Sequence, residues 1–572
     1  MGRQVTLWVD GMTCDACAQH VGGALERAGA RQVAVDWRAG QASFDWPTEV
    51  AEAALRGAVE QAGYRPQALR VAGDGNADGD AQPDPARPRR TAAAAAGDYD
   101  LLILGAGSAA FAAAITARDA GAKVAMVEAG TLGGTCVNVG CVPSKALLRA
   151  GELAWQAGHH PFAGLATTSG PVDLAALVAS KDELVAELRQ AKYADLVDAY
   201  GFEVIAGHAR FTGRSAERFT DPATIQVQVD GRRLRASAVL VATGASPAVA
   251  PIRGLAEAGF LTSTSALDLK EIPRRLVVIG SSAVGLELGQ FFLHLGSQVT
   301  FLDVAGRIAP LEEPEASAAL TEVLTAQGAA VHAPVQVLAV ERDLDGEVRR
   351  VHVRVDGAER SIDADEVLVA TGRWPNTAGL GLDAAGIAVD DHGAVVVDEQ
   401  LRTCHPRVWA AGDVTAAPQF VYVAAAHGAL AADNALRGAG RSVDDVGLPR
   451  VTFTSPQLAG AGWTEQAARA AGQQVRSAVL PLGAVPRALV NRDTRGLVKL
   501  IADAASGRLL GATIVADGAG DAIQAAVLAI RAGMTTSELA ATFHPYLTIA
   551  EGLKLAAQSF TRDVERLSCC AA

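Results

Sequence analysis

Six of the seven cysteines in this chain stand in three pairs whose spacing suits sulfur chemistry: Cys14/Cys17, Cys136/Cys141 and Cys569/Cys570. Two thiols at C-x2-C spacing where a helix begins share one face, and the helix dipole favours their thiolates. Such a pair suits a soft, thiophilic cation, although redox pairs of the thioredoxin type have the same spacing. Cys136 and Cys141, separated by four residues or one helical turn, are within reach of a disulfide. The terminal pair can hand a soft cation on by ligand exchange, and it is equally open to oxidation.

Two glycine-containing strings predict dinucleotide binding. In each, a strand runs into a glycine turn, a helix follows, and a second strand ends in an acid 23 residues past the first glycine. The glycines let the backbone approach a pyrophosphate at the helix N-terminus, and the acid accepts hydrogen bonds from a ribose. The residues at these positions are Gly105, Gly107, Ala110 and Glu128 in the first string, and Gly280, Ser282, Gly285 and Asp303 in the second. Two such units predict two dinucleotides that exchange electrons.

The elements that position these residues fall into parts joined by a linker. Residues 73–97 contain Gly, Asp, Pro and Ala with almost no large apolar side chains, which indicates a linker after a first domain of residues 1–72. In that domain the hydrophobic period switches between 2 and 3.6, which predicts a ferredoxin-like βαββαβ fold. The predicted elements are strand 5–10, helix 15–28, strands 31–37 and 40–46, helix 49–62 and strand 66–71. From residue 448 onward strands and helices alternate without a glycine string, as in a candidate interface domain.

Length and composition exclude several classes of protein. The chain has 572 residues, half of them apolar, which at roughly 150 residues per domain suggests about four domains. Its 50 Lys and Arg against 63 Asp and Glu give a net charge of −13, which argues against nucleic acid as a partner. The sequence has no apolar run of the ~18 residues that a membrane span needs, and its N-terminus does not read as a signal peptide. We therefore expect a cytoplasmic protein with reduced thiols.

Residues 98–572 resemble the FAD-dependent pyridine nucleotide–disulfide oxidoreductases. The string GGTCVNVGCVPSK, Gly133–Lys145, is among the most specific motifs of that family, and further family elements follow: Ala242-Thr243-Gly244, Ala370-Thr371-Gly372-Arg373-x-Pro375-Asn376 and Ala411-Gly412-Asp413. The resemblance implies an FAD-binding domain in residues 98–247 and 376–447, an NAD(P)-binding domain in 248–375 and a dimerisation domain in 448–572. The fold class is then α/β, with two Rossmann-like domains and an α+β dimerisation domain. Further cofactor contacts are implied at Gly134, Thr135, Thr243, Gly244, Gly372 and Asp413, with Asp413 at the ribityl chain of FAD.

The same resemblance assigns roles around the central thiols. Cys141 takes the place of the flavin-proximal, charge-transfer thiol, and Cys136 that of the interchange thiol that faces substrate. Lys145 matches the lysine beside the flavin N5, and Glu287 matches its glutamate partner. The alternatives for the two cysteines are that they are buried structural thiols or that they bind a structural metal ion. Elsewhere, Cys404 and His427 are expected to be buried packing residues.

Both ends of the chain resemble the mercuric reductases within that family. Residues 1–72 resemble a heavy-metal-associated domain, with its two ligands at Cys14 and Cys17. Near the C-terminus, where disulfide reductases have His-Pro-Thr-x-x-Glu, this chain has Tyr546 after His544-Pro545 and Ile549 at the place of the glutamate. A histidine without its orienting carboxylate is a poorer base, so His544 is interpreted mainly as a packed or hydrogen-bonded residue. Tyr546, Tyr193 and the terminal cysteines match the metal site of the mercuric reductases.

This likeness implies reduction of thiol-bound Hg(II) to volatile Hg(0) by NADPH or NADH through FAD, for detoxification and resistance. It implies a homodimer whose active site is shared between subunits. Mercury would pass from Cys14/Cys17 to Cys569/Cys570 and then to Cys136/Cys141, where it is a substrate rather than a resident metal. A membrane mercury transporter is the suggested donor to the first pair.

The choice of nicotinamide depends on the end of the second strand of the second dinucleotide unit. Asp303 suits the free 2′-hydroxyl of NADH and repels the 2′-phosphate of NADPH. Arg307, four residues on, could compensate in part. We expect NADH to be accepted, with NADPH as the alternative.

Two competing functions follow from the same residues. A large thioredoxin reductase also uses a C-terminal thiol pair, but the ending of the redox motif, the missing glutamate and the metal-binding domain disfavour it. A protein that buffers or delivers copper through Cys14/Cys17 would use the same soft-metal chemistry. The complete redox motif and the terminal thiols argue against mere delivery.

Overall fold

The computed structural model describes residues 3–10, 15–37, 40–47, 50–62, 64–71, 98–212, 224–343 and 345–563. The chain divides into two compact units, Met1–Arg89 and Arg90–Ala572. Within the described ranges, no helix is both long enough and apolar enough to cross a membrane. Cys14, Cys569, Cys570 and the predicted linker 73–97 lie outside the described residues.

The N-terminal unit is a four-stranded antiparallel sheet with two helices. Its elements are β1 (Arg3–Asp10), α1 (Asp15–Arg27), β2 (Arg31–Asp36), β3 (Gln41–Trp46), α2 (Glu52–Gln61) and β4 (Arg65–Val71). The strand order is β2-β3-β1-β4. Val5, Leu7 and Val9 alternate along β1 and are buried in one core with Val21 and Leu25, which lie one turn apart on α1. The predicted βαββαβ fold is confirmed.

Residues 98–247 of the larger unit form a first dinucleotide-binding fold. Its elements are β5 (Tyr99–Leu104), α3 (Ser108–Asp119), β6 (Val124–Glu128), α4 (Gly134–Val139), α5 (Cys141–Gly158), α6 (Leu174–Arg189), α7 (Asp195–Tyr200), β7 (Glu203–Ala206), β8 (Ala209–Phe211), β9 (Ile225–Val229), β10 (Arg232–Val241) and β11 (Ala245–Pro247). A π-helical turn, Gln190–Ala194, joins α6 to α7. Strands β7, β6, β5 and β10 are parallel neighbours, and β9 and β8 extend the sheet in antiparallel fashion. The turn after β5 therefore lies at the carboxyl edge of a buried parallel sheet.

Residues 248–375 form a second fold of this kind. Its elements are α8 (Leu255–Ala258), α9 (Ser263–Ala266), β12 (Arg275–Ile279), α10 (Ala283–His294), β13 (Gln298–Leu302), α11 (Pro314–Ala326), β14 (Ala330–His332), β15 (Gln336–Arg342), β16 (Arg349–Val355), β17 (Ala358–Ala364), β18 (Glu366–Val369) and β19 (Arg373–Pro375). Strands β14-β13-β12-β18 make a parallel sheet, beside an antiparallel sheet of β15, β16 and β17. Phe291 and Phe292 of α10 and Phe301 of β13 are buried in the core of this part.

The rest of the chain returns to the first sheet and then builds a separate one. Its elements are β20 (Val408–Ala410), α12 (Val421–Arg437), β21 (Pro449–Thr452), β22 (Gln457–Gly462), α13 (Glu465–Ala470), β23 (Val475–Pro481), α14 (Pro486–Asn491), β24 (Leu497–Asp503), β25 (Leu509–Ala516), α15 (Ala519–Arg531), α16 (Thr536–Ala541) and α17 (Glu551–Gln558). Strand β20 pairs with β10 in parallel, which makes the first sheet seven-stranded. The last sheet is antiparallel, in the order β21-β22-β25-β24-β23. The predicted fold class, α/β with an α+β C-terminal part, is confirmed.

Candidate active site

The central thiols lie where two helices meet at a sharp break. Cys136 is in α4, Cys141 is the first residue of α5, and Gly140 between the helices has φ −128° and ψ −116°. A side chain at Gly140 would place its Cβ 2.9 Å from the carbonyl oxygen of Thr135 and 3.2 Å from the Cα of Cys136. The expectation of one continuous helical turn between the cysteines is therefore wrong. Neither thiol is in a disulfide. The break brings the two thiols close enough to form a hydrogen bond with each other.

The two thiols differ in their affinity for a proton. The hydrogen bond from Cys136, helped by the charge of Lys145, lowers the pKa of Cys141 from its ordinary 9.0 to about 7, although burial opposes the change. The same hydrogen bond raises the pKa of Cys136. Cys141 also begins an 18-residue helix, whose N-terminus stabilises an anion. Cys141 is thus the thiolate of the pair, and Cys136 is its hydrogen-bond donor.

The ammonium group near Cys141 is held by contacts from two other parts of the chain. Lys145 Nζ lies 2.6 Å from Oε2 of Glu287, which is buried in α10. Glu287 Oε1 accepts a hydrogen bond of 2.8 Å from the backbone N–H of Phe453, and Lys145 Nζ lies 4.7 Å from the centre of the Phe453 ring. The pairing of Lys145 with Glu287 that the family resemblance implies is present. Phe453 has no motif of its own, and sequence reasoning missed it.

The turn after β5 fits the pyrophosphate of a dinucleotide. Gly105 has a φ of +111°, and a Cβ there would lie 2.4 Å from the carbonyl oxygen of Ala242. A Cβ at Gly134 would lie 2.6 Å from the Cα of Gly107, so the thiol-bearing segment passes directly against the glycine turn. Only glycine allows such approaches. Ala110 is buried in α3, Thr135 lies in α4, and Glu128 Oε1 accepts a hydrogen bond of 2.6 Å from Gly130 N–H.

The other predicted FAD residues converge through a two-stranded ribbon of β11 and β19. Thr243 Oγ1 donates to the carbonyl of Asn376 at 2.8 Å, and the Asn376 amide donates back to the carbonyl of Thr243 at 2.9 Å. Gly244 and Gly372 in these turns have φ values of +69° and +111°. The ribbon brings the Arg373 guanidinium to 3.8 Å from the Asp413 carboxylate, and burial raises the pKa of Asp413. A partly buried carboxylate with a cation 3.8 Å away fits a polar ligand such as a ribityl chain.

The turn after β12 has the same close geometry as the first. Gly280 has a φ of +97°, and its Cβ would lie 2.4 Å from the carbonyl oxygen of Ala370. A Cβ at Gly285 would lie 1.9 Å from the carbonyl oxygen of Gly280, while Ser282 is exposed at the N-cap of α10. Asp303 directly follows β13. These residues fit a second dinucleotide.

Tyr193 packs against the segment that carries the thiols, since a Cβ at Gly133 would lie 3.3 Å from its ring. It lies in the π-helical turn, its ring packs edge-on against Phe111 at 4.8 Å, and its hydroxyl forms a hydrogen bond with Ser108. Burial raises the pKa of Tyr193, and the charges of both thiols raise it further. Tyr193 also lines an open cavity of about 360 Å³ whose other walls are mainly apolar, including Phe111, Ile115, Leu196 and Tyr422. This cavity was not anticipated, because α3, α7 and α12 come from distant parts of the sequence.

Other predicted residues lie apart from this group or outside the described ranges. Tyr546 is half exposed in the segment between α16 and α17, and His544 Nδ1 lies 3.1 Å from the carbonyl oxygen of Thr542. The backbone of Cys17 is in α1, but its side chain is not described, and Cys14, Cys569 and Cys570 lie outside the described residues. Within the ranges that are described, no three His, Cys, Asp or Glu side chains are grouped to hold a metal ion.

Two packing predictions had different outcomes. Cys404 was expected to be buried, but it is exposed, with its thiol donating to the carbonyl of Gly386 at 3.0 Å. A loop carbonyl satisfies this thiol, so it needs no core position. His427 is buried as expected, with Nε2 3.7 Å from Asp445 Oδ1.

Comparisons with known proteins agree with this geometry. Residues 99–428 match the model of the pyridine nucleotide-disulphide oxidoreductases, residues 448–557 match the dimerisation domain of these proteins, and residues 6–65 match the heavy-metal-associated domain. The mercuric reductase of Staphylococcus aureus is 48% identical over 568 residues, which is 98% of each chain. The mercuric reductase of Bacillus cereus is 46% identical over 572 residues, 100% of this chain and 87% of that one. Among solved structures, the HOCl-induced flavoprotein disulfide reductase RclA of Escherichia coli has a TM-score of 0.70 at 31% identity, covering 81% of this chain and 100% of its own.

Proposed function

Because the chain belongs to the pyridine nucleotide-disulphide oxidoreductase family, we propose that it is an FAD-dependent enzyme that reduces Hg(II) to Hg(0) with electrons from NADPH or NADH. The balanced reaction is NAD(P)H plus Hg(II) giving NAD(P)⁺, H⁺ and Hg(0). The observation that carries the proposal is the unequal thiol pair beside Lys145 and Glu287, in a chain whose full length matches mercuric reductases. The physiological role that follows is mercury detoxification and resistance.

The central thiols suit a soft cation that has to be both held and reduced. Hg(II) prefers two sulfurs in line, and thiolates displace oxygen and nitrogen ligands from it. Cys141 supplies a thiolate near neutral pH without a general base, because its hydrogen bond with Cys136 and the charge of Lys145 stabilise the anion. Loss of the Cys136 proton to solvent lets the second sulfur bind as the metal arrives. FAD, which the glycine turn after β5 and the β11–β19 ribbon would hold, would supply two-electron redox chemistry between the nicotinamide and the thiol pair.

Four other side chains are proposed to position this chemistry. Lys145 places a positive charge beside the thiolate, and Glu287 keeps that charge in place from a buried position. Tyr193 has a phenol group that interacts electrostatically with both thiols and is anchored through Ser108 and Phe111. We propose that the phenol oxygen steadies the metal between sulfurs, and that Tyr546 does the same from the partner subunit. The residues proposed to hold FAD and the nicotinamide are those of the two glycine turns and the β11–β19 ribbon.

The C-terminal segment argues against disulfide substrates. A disulfide reductase needs a base to carry protons for the leaving thiols, and its histidine is oriented by a carboxylate. Here the Nδ1 atom of His544 is next to the Thr542 carbonyl, and apolar Ile549 packs at the core of the C-terminal part. The nearby carboxylate of Glu551 is buried and accepts from the backbone N–H of Leu547. The sequence thus has Ile549 where the orienting glutamate of a disulfide reductase stands, whereas Hg(II) reduction needs no protonated leaving thiol.

We further propose how mercury reaches the site. The family match over residues 448–557 supports a homodimer, in which the Cys569/Cys570 tail of one subunit would serve the thiols of the other. Mercury would arrive from a membrane transporter at Cys14/Cys17 and pass through the tail to Cys136/Cys141 by thiolate exchange. This sequence of events places the enzyme in the cytoplasm. Each predicted domain then has its own role, with delivery in residues 1–72, tethering in 73–97, electron transfer in 98–447 and assembly in 448–572.

The test is anaerobic turnover of the purified holoenzyme with Hg(II) in excess thiol, following both nicotinamide oxidation and release of Hg(0) vapour. We expect metal-dependent oxidation with one Hg(0) per nicotinamide, its loss in Cys136→Ala, and its retention in Cys404→Ala, the matched exposed-thiol control. Replacing Cys569 and Cys570 by Ala is expected to abolish turnover of thiol-bound Hg(II). Bound flavin without Hg(II)-dependent oxidation would refute the proposal and favour a disulfide substrate, thioredoxin first. Undiminished turnover in the tail variant would remove the tail from the mechanism.

A further inference from the structure

The loop from Asp303 to Glu313 follows β13, the strand whose carboxyl end faces the adenosine ribose in a dinucleotide fold. Whether such a site takes NADH or NADPH depends on the charges beside the ribose 2′-position, where NADPH carries a phosphate. The tight glycine turn at Gly280 and Gly285 adjoins this loop: the backbone N–H of Ala309 donates to the carbonyl of Ser281 at 2.8 Å. The loop and the turn therefore form one structural unit.

Asp303 is a fixed negative charge in this unit. Its Oδ2 atom accepts hydrogen bonds from the backbone N–H of Ser281 at 2.7 Å and from the Ser281 hydroxyl at 2.6 Å. Its Oδ1 atom accepts from the backbone N–H of Ala305 at 2.9 Å. Three donors hold the carboxylate, so it cannot rotate away from an incoming phosphate without breaking them.

Arg307 does not supply the compensating positive charge that its place in the sequence suggested. One terminal nitrogen of its guanidinium donates to the carbonyls of Pro310 at 2.9 Å and Glu312 at 3.0 Å, and its Nε is buried. The side chain is thus folded into its own loop. Arg307 is also the only Lys or Arg between residues 303 and 313.

The residue next to Asp303 is open to solvent and apolar. Val304 is 80% exposed, and it occupies the first position past the ribose-recognising acid. Because Val304 directly follows the acid expected at the ribose, a cation here would stand on the ribose side of the strand end, but valine offers neither charge nor hydrogen bond. From the fixed carboxylate, the folded-in arginine and the exposed valine, we infer that this enzyme is selective for NADH over NADPH.

The selectivity has a simple electrostatic origin. The 2′-phosphate of NADPH would bring up to two negative charges beside an immobile carboxylate, with no cation of this loop free to offset them. The 2′-hydroxyl of NADH carries no charge and can donate to the same carboxylate. We expect NAD⁺ to bind at least about tenfold more tightly than NADP⁺ at moderate ionic strength, with the difference shrinking as salt screens the repulsion.

The experiment is calorimetric titration of the holoenzyme with NAD⁺ and NADP⁺ in the absence of mercury. Val304→Arg adds a cation at the exposed position and is expected to raise NADP⁺ affinity about five- to tenfold with little change for NAD⁺. The matched control is Val389→Arg, which adds the same charge at another exposed valine outside this loop and is expected to leave the NADP⁺ to NAD⁺ ratio unchanged. Arg307→Ala is expected to alter binding of both dinucleotides by the same factor.

Two outcomes would overturn the inference: equal binding of NAD⁺ and NADP⁺ by the unmodified protein, or a loss of NADP⁺ affinity alone in Arg307→Ala. The inference rests on the proposed function only for the presence of a nicotinamide dinucleotide site. Failure of Hg(II) reduction with NAD⁺ selectivity intact would therefore count against the proposed function alone. Intact Hg(II) reduction with equal affinities would count against the selectivity alone.

Discussion

Removing the hydrogen bond between the central thiols should raise the pKa of Cys141. The change is Cys136→Ala, which deletes the donor that contributes most to the lowered pKa of Cys141 and leaves Lys145 in place. With a pKa of about 7, half of the Cys141 thiol is ionised at pH 7. Without the donor, the pKa moves back toward its ordinary 9.0, at which only about 1% is ionised at pH 7. Because the charge of Lys145 remains, we expect the ionised fraction at pH 7 to fall by about five- to fiftyfold.

Alkylation kinetics can measure this ionised fraction. The thiolate is the form that reacts with iodoacetamide, so the rate at Cys141 of the prereduced enzyme follows its ionisation. Tryptic digestion yields a peptide of residues 124–145, in which Cys141 is the only thiol once Cys136 is replaced. The sign follows from the lowered pKa: the thiolate dominates above pH 7 and is lost as the pH falls below it. The midpoint in Cys136→Ala should lie at higher pH.

An identical alkylation midpoint in the unmodified protein and in Cys136→Ala would contradict the role of the hydrogen bond. A midpoint near 9 in the unmodified protein would also refute it, because the hydrogen bond would then have no effect on ionisation. Lys145→Met provides a second arm, since it removes the charge and keeps the thiol donor. It should also raise the midpoint, by less than Cys136→Ala, because the hydrogen bond is the larger cause. Cys404→Ala leaves the pair untouched and should leave the midpoint unchanged.

Three further predictions concern dinucleotide binding, stability and metal turnover. Gly105→Ala should reduce FAD retention, whereas Gly280→Ala should keep FAD and weaken NAD⁺ binding by about tenfold or more, because each new Cβ would lie 2.4 Å from a carbonyl oxygen. Flavin absorbance measures FAD retention and calorimetry measures NAD⁺ binding. Loss of both ligands in either variant would contradict the assignment of the two turns. Lys499→Met should lower the free energy of unfolding by about 3–5 kcal/mol in chemical denaturation, because it leaves buried Glu313, 2.8 Å from Nζ, without its cation. Arg350→Ala, at an exposed ion pair that solvent screens, should lower the free energy of unfolding far less, and equal losses in the two variants would refute the comparison. Tyr193→Phe should slow Hg(0) release about tenfold while flavin reduction by NADH, measured by stopped flow, stays unchanged; an equal loss in both steps would indicate a structural role.

Local sequence patterns predicted the elements of the N-terminal unit and the glycine turns of the larger unit. The strand predicted at 66–71 is observed at Arg65–Val71, and the helix predicted at 15–28 is observed at Asp15–Arg27. Glycine turns were readable because only glycine permits the close backbone approaches found at Gly105 and Gly280. The position of Glu287 opposite Lys145 came only from the family resemblance, because 142 residues separate the two in sequence.

The features that sequence could not supply depend on contacts between distant segments or on side-chain direction. The break at Gly140 follows from the crowding of Thr135 and Cys136, which residue spacing alone does not reveal. Arg307 sits at a promising position but donates to its own loop, and spacing cannot tell which way a guanidinium turns. Phe453 reaches Lys145 only because the turn after β21 packs on α10.

The contacts around Phe453 connect the C-terminal part of the chain to the central thiols. The turn that contains Phe453 is fastened to α10 not only at Glu287 but also at Gln290, which accepts from the backbone N–H of Ser455 at 2.7 Å and donates to its carbonyl at 2.8 Å. Docking of the C-terminal part therefore holds Glu287 in place, and Glu287 holds the Lys145 ammonium, whose charge lowers the pKa of both central thiols.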